Sequence, residues 1–150
     1  MSNDVIAAWE RIEFWLRLHP PTFPASSGAP ADAIAAAEAE LGFRLPDDLR
    51  TLWQRCGGPT GPLTPEGEVL LGVRQALDAY DLLNHPGVWE TTWVPFTADE
   101  PEDPFSGTFI DAATGLIGSW NRQDVSHPYD DGSTLTSYLT EVADELRVID

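Results

Sequence analysis

Apolar residues recur at helical spacing in five stretches of this 150-residue chain. Val5, Trp9, Ile12 and Leu16 are four, three and four residues apart, which places them on one face of a helix over 4–18. Asn3 stands where an N-cap belongs, Glu13 and Arg17 are spaced for an ion pair, and His19-Pro20-Pro21 ends the run. A second helix is expected over 30–41, with Pro30 at its first position, a face of Ile34, Ala37, Glu38 and Leu41, and Gly42 as a left-handed C-cap. Leu45-Pro46-Asp47-Asp48-Leu49 opens a third, with two carboxylates against its positive end. Leu49, Leu52, Trp53 and Cys56 form its buried stripe, and Gly57-Gly58 stop it. That position makes Cys56 a core filler rather than a nucleophile.

The pattern then changes. Glu68-Val69-Leu70-Leu71 reads as a short strand, and Val73, Ala76, Leu77 and Tyr80 as a helix reaching Leu83, ended by His85-Pro86-Gly87. Trp89 to Phe96 is β-like, and residues 97–104 form an acidic loop. Thr108–Asp111 and Leu116–Trp120 read as two strands around a turn ending in Thr114-Gly115. A polar stretch runs to Gly132. Leu135, Leu139, Val142 and Leu146 then mark the last helix, with Ser133 or Thr134 as its cap. The whole chain, 1–150, reads as a single α+β domain.

Charge adds a second pattern. There are 25 acidic residues, eight arginines and no lysine, for a net charge of −17. Residues 1–60 hold eight of the acids and five of the arginines, so the surplus lies after residue 61. This balance argues against binding nucleic acid through phosphates and against docking on anionic membrane. It suits a basic protein partner attracted from a distance, or solubility alone. Six Trp, six Phe and three Tyr distinguish the chain from a disordered acidic tail. A lone cysteine excludes an internal disulfide. An acidic N-terminus and the absence of a long apolar run predict a cytoplasmic protein.

Named catalytic motifs are missing. Without lysine there is no phosphate-binding Gly-Lys-Ser/Thr loop, and neither G-x-S-x-G nor H-E-x-x-H occurs. His19, His85 and His127 each precede a proline, and none has a second His or Cys at ligand spacing, so no metal or cofactor is expected. The acidic candidates are Asp99, Glu100, Glu102 and Asp103, in a loop with Pro101 and Pro104, and Asp124, Asp130 and Asp131. Three readings stay open for them: solvated loops, contacts with a basic partner, or a weak divalent-ion site. Asp130-Asp131-Gly132 lacks the alternating oxygens of an EF-hand loop. Asp111 ends a strand before a turn, where its side chain can bond the turn's amides. Trp9 and Trp53 are expected in the core, Trp93 and Trp120 partly buried. Trp15 and Trp89 fit their patterns less well, and an exposed Trp would be a partner anchor.

Gly28-Ala29-Pro30, Ile34, Glu38, Glu40-Leu41-Gly42, Leu45-Pro46-Asp47-Asp48-Leu49-Arg50, Trp53 and Gly57-Gly58 together resemble the N-terminal signature of the SUKH superfamily. Trp93-Val94-Pro95-Phe96, Gly107–Asp111, Gly115–Gly118 and Ser137-Tyr138-Leu139 resemble its remainder, in the same order. Pro30 and Gly57 stand where the family usually has Ser or Thr and Asn, and acid replaces glycines after the Trp-x-Pro strand. The resemblance implies an α+β fold with a mainly antiparallel sheet flanked by helices, and no known catalytic residues. Bacterial members look chiefly like immunity proteins that neutralise toxin domains, often nucleases; fungal founding members regulate cell-wall assembly. The expectation is therefore a non-enzymatic immunity protein occluding the basic active site of a cognate toxin domain. Its contacts would be Asp99, Glu100, Glu102, Asp103, Asp124, Asp130 and Asp131. An intracellular regulatory scaffold is the alternative, and a hydrolase using paired carboxylates a distant third.

Overall fold

A computed structural model describes residues 2–18, 28–56, 69–83, 89–100, 105–121, 127–128 and 133–149. Its helices are α1 (Ser2–Leu18), α2 (Ala31–Leu41), α3 (Asp47–Arg55), α4 (Val73–Leu83) and α5 (Leu135–Ile149). Its strands are β1 (Val69–Leu70), β2 (Trp93–Ala98), β3 (Ser106–Asp111), β4 (Ile117–Asn121) and β5 (His127–Pro128). They form one sheet in the order β1-β2-β3-β4-β5, every pair antiparallel. The fold is α+β, as the segment order predicts.

Both faces of the sheet are covered, because neighbouring residues of β3 point opposite ways and both are buried. Phe109 stacks on Trp93 at 4.2 Å, and Trp89 meets both rings edge-on. On the other face Ile110 lies between Val94 and Ile117. Phe96 meets Tyr138 of α5 edge-on, with ring centroids 5.5 Å apart. α1 packs on α3 and α5, and α4 on β2. The indole N–H of Trp53 donates to the Leu71 carbonyl at 3.0 Å, which ties α3 to the end of β1.

Several local features follow their sequence. Gly42 caps α2 at φ 88°, and its amide bonds the Glu38 carbonyl. Thr134 caps α5 reciprocally with Ser137: each hydroxyl oxygen accepts the other residue's backbone N–H, at 3.2 and 2.8 Å. Gly115 takes φ 78° in the β3–β4 turn. Gly28 and Gly107 are required by space. A Cβ on Gly28 would stand 1.6 Å from the Gln54 carbonyl oxygen, and one on Gly107 would stand 2.0 Å from that of Thr97.

Other expectations need correction. α1 already includes Asn3, which therefore lies inside the helix and not at its cap. Glu13 is held by Arg55 of α3, and the side chain of Arg17 lies outside what the structure describes. Trp89 precedes β2, and a turn at 91–92 separates them. Thr97 and Ala98 belong to β2, not to the acidic loop. A bulge between Pro95 and Thr97 breaks the strand's alternation there, and the buried Thr97 hydroxyl oxygen accepts the Thr108 amide at 2.9 Å. β5 was not expected; two residues are too few to show a period. Trp93 and Trp120 are buried, and so is Trp89. Trp15 is half-buried against the core, so no tryptophan is an exposed anchor.

Candidate functional site

Of the seven acidic candidates, Asp99 and Glu100 lie among the described residues; Glu102, Asp103, Asp124, Asp130 and Asp131 lie outside them. Asp99 is the first residue after β2. Its Oδ1 accepts the backbone N–H of Phe105 at 2.9 Å and of Ser106 at 3.2 Å, and its own N–H donates to the Ser106 carbonyl at 3.0 Å. The carboxylate thus clasps the two ends of the β2–β3 connection, while remaining exposed to solvent. Glu100 is exposed beside it, and the Phe105 ring is 46% exposed. The end of the hairpin therefore presents carboxylates and one phenyl ring together. Sequence reading missed Phe105. The available signal was an aromatic residue following Pro104 in an otherwise acidic loop.

Each arginine whose side chain is described is paired with a carboxylate of the same chain. Arg11 meets Asp144 at 2.6 Å, Arg44 meets Asp47 at 3.5 Å, and Arg55 meets Glu13 at 2.9 Å. Arg74 bridges Asp78 and Glu40 at 3.1 and 3.4 Å, and Arg50 sits 3.6 Å from both Glu38 and Asp47. The described positive charge is thereby neutralised, and every one of these carboxylates sits in a helix.

Other candidate groups take structural roles. Asp111 Oδ1 accepts the Thr92 hydroxyl at 2.7 Å and the Ala113 amide at 2.9 Å, so it fixes the turn as its position predicts. Cys56 is buried. Burial pushes the Tyr80 phenol above its ordinary range, and its hydroxyl donates to the Thr91 carbonyl at 2.7 Å. A cavity of about 290 Å³ between α1 and α5 is lined by Asp4, Ala7, Ala8, Arg11, Thr136 and Thr140. Its one cation, Arg11, is committed to Asp144. Among the described residues no group of three or more His, Cys, Asp or Glu is placed to hold a metal ion, and no helix is long and apolar enough to cross a membrane.

The signature segment turns out to be a clasp between α2 and α3. Glu38 Oε2 accepts the Leu45 amide at 2.7 Å. Arg50 lies against that carboxylate, and the Ala29 amide donates to the Trp53 carbonyl at 2.8 Å. Gly28 lies against the backbone of Gln54. A family model described as the SMI1 / KNR4 family (SUKH-1) matches residues 28–141. The chain belongs to the SMI1/KNR4 family. The match starts at the residue that packs on α3 and ends within α5, so it covers the clasp, the whole sheet and most of the helical layer. No curated protein matches the chain. What defines this SUKH-1 chain at its N-terminal signature is therefore a packing device, and the exposed hairpin end is separate from it.

Proposed function

We propose that this SUKH-1 protein is a non-catalytic immunity protein that binds a basic toxin domain in the cytoplasm and covers its active site. The net charge of −17, with its acidic surplus after residue 61, carries the reading. Asp99 and Glu100, at the end of β2, are exposed to solvent. The sequence adds Glu102 and Asp103 between Glu100 and Phe105, and Asp124, Asp130 and Asp131 further on. A nuclease toxin must be positively charged where it holds nucleic acid. An acidic surface is drawn to that charge, associates quickly, and excludes the substrate without turnover.

The test is co-expression with the product of the adjacent gene, scored by growth rescue and by association kinetics at several salt concentrations. Wild-type protein should rescue growth. Reversing Glu100, Glu102 and Asp103 to lysine should slow association and flatten its salt dependence. Full rescue with unchanged association by the reversed variant removes this surface from the interface. Absence of rescue, combined with stable binding to a host protein, moves the assignment to the regulatory scaffold.

A further inference from the structure

We propose that the outer face of α1 pairs with a second copy of this chain, each copy setting its Phe14 ring into the other's groove between α1 and α5. The pairing is independent of the immunity reading, since the hairpin end takes no part in it. Ala7, Arg11 and Phe14 stand at i, i+4 and i+7, so they share one face of α1. Phe14 is 61% exposed, and Ala7 and Arg11 line the groove. Ring and groove therefore lie on the same surface. A two-fold axis midway between them lays each ring over the other chain's groove at once, and a pairing of this kind closes as a dimer.

The groove suits a ring. Its volume is about 290 Å³, and an apolar cavity of about 150 Å³ already admits benzene. Ala7 and Ala8 bring only methyl groups to it. The Thr140 hydroxyl donates to the Thr136 carbonyl at 2.8 Å, so covering the groove leaves that donor satisfied.

Charge selects the occupant. Each copy carries −17, so two copies repel wherever acid is unbalanced. Leu82 follows the exposed Asp81, and Phe105 adjoins Asp99 and Glu100, so a second copy meets like charge at either one. Around Phe14 the charges are matched within the chain. Arg11 pairs with Asp144 at 2.6 Å, and Arg55 lies 2.9 Å from Glu13 and 3.8 Å from Glu10. The acidic surplus lies elsewhere, after residue 61. Of the three exposed large apolar side chains, Phe14 is the one that two acidic copies can approach with least repulsion.

The experiment is sedimentation equilibrium of the purified full chain over a range of protein and salt concentrations. Wild type should pass from monomer to dimer. Added salt should strengthen the dimer by screening the repulsion, the opposite of its effect on an acidic protein bound to a basic one. Phe14→Ala removes the ring and Ala7→Glu fills the groove, and each should weaken the dimer about tenfold or more. Both positions are exposed, so melting should stay near wild type, and Phe14→Gln serves if the alanine variant is unstable. Mixing Phe14→Ala with Ala7→Glu should give a heterodimer tighter than either homodimer, because the ring of one meets the open groove of the other. A wild type that stays monomeric up to about 1 mM overturns the proposal. So does a Phe14→Ala dimer within about twofold of wild type, or a mixture that gains nothing. If wild type is monomeric and Phe14→Ala weakens binding to the adjacent-gene toxin domain, this face belongs to the toxin and not to a second copy.

Discussion

Arg55 in α3 grips Glu13 in α1 with two nitrogens, Nε at 3.1 Å and Nη2 at 2.9 Å from the same carboxylate oxygen. Glu13 lies before the family match and Arg55 inside it. The pair therefore joins the N-terminal helix to the signature helix, although it is partly exposed.

Partly exposed pairs contribute up to about 1 kcal/mol, so this one does not by itself hold α1. Val5, Trp9 and Ile12 are wholly buried, and each is worth roughly 1.5–3 kcal/mol relative to exposure. Removing residues 2–18 should abolish cooperative unfolding in urea, Trp9→Ala should cost about 3–5 kcal/mol, and Glu13→Gln less than about 1. A chain lacking α1 with a native near-ultraviolet spectrum and an unchanged midpoint would show that the matched region folds without it.

Glycine substitutions should separate crowding from backbone conformation. Gly28→Ala and Gly107→Ala place a methyl group against a carbonyl oxygen, so both should lose several kcal/mol or fail to fold. Gly42→Ala meets no atom within 4 Å and strains only its left-handed backbone, costing about 1–2 kcal/mol. Urea midpoints check the order; equal losses at all three positions would contradict the crowding account.

The Glu38–Leu45 bond offers another test. Glu38→Ala leaves the Leu45 amide without its acceptor and takes a carboxylate from Arg50, so a loss of about 1–3 kcal/mol is expected. Glu38→Gln retains an accepting oxygen and should lose less. If the two variants melt together, the bond is not what matters at this position.

Stability should depend on pH through Asp48. Burial raises its carboxyl above the ordinary range, so the folded chain binds this proton more readily than the unfolded chain. Acid therefore relieves a penalty that is present at neutral pH. The melting temperature of wild type minus that of Asp48→Asn should rise as pH falls from about 7 to about 4. A constant or falling difference would mean that Asp48 is not desolvated.

Helix α4 was legible to the residue, because Val73, Ala76, Leu77 and Tyr80 repeat at its period and nothing distant alters that spacing. The α5 cap, expected at Ser133 or Thr134 and found at Thr134, and the turn at Gly115 were legible for the same reason. β2 was displaced, since its bulge lets Thr97 and Ala98 sit inside the sheet against the hydropathy pattern. At the candidate site, Asp99 and Glu100 could be named as acidic loop residues. That Asp99 is a clasp depends on Phe105 and Ser106 coming back across the loop.

Spacing and composition alone specify the helical faces, the two glycine turns, the family signature and the imbalance of charge. These are properties of composition and of spacing within a few residues. The long-range packing is what brings Glu13 to Arg55 and covers both faces of β3. It also decided that Phe105 stays in solvent while Trp89 and Trp93 do not. Each of those outcomes pairs groups far apart in the chain. Such pairings are set by packing and distance in three dimensions, and periodicity carries no record of them.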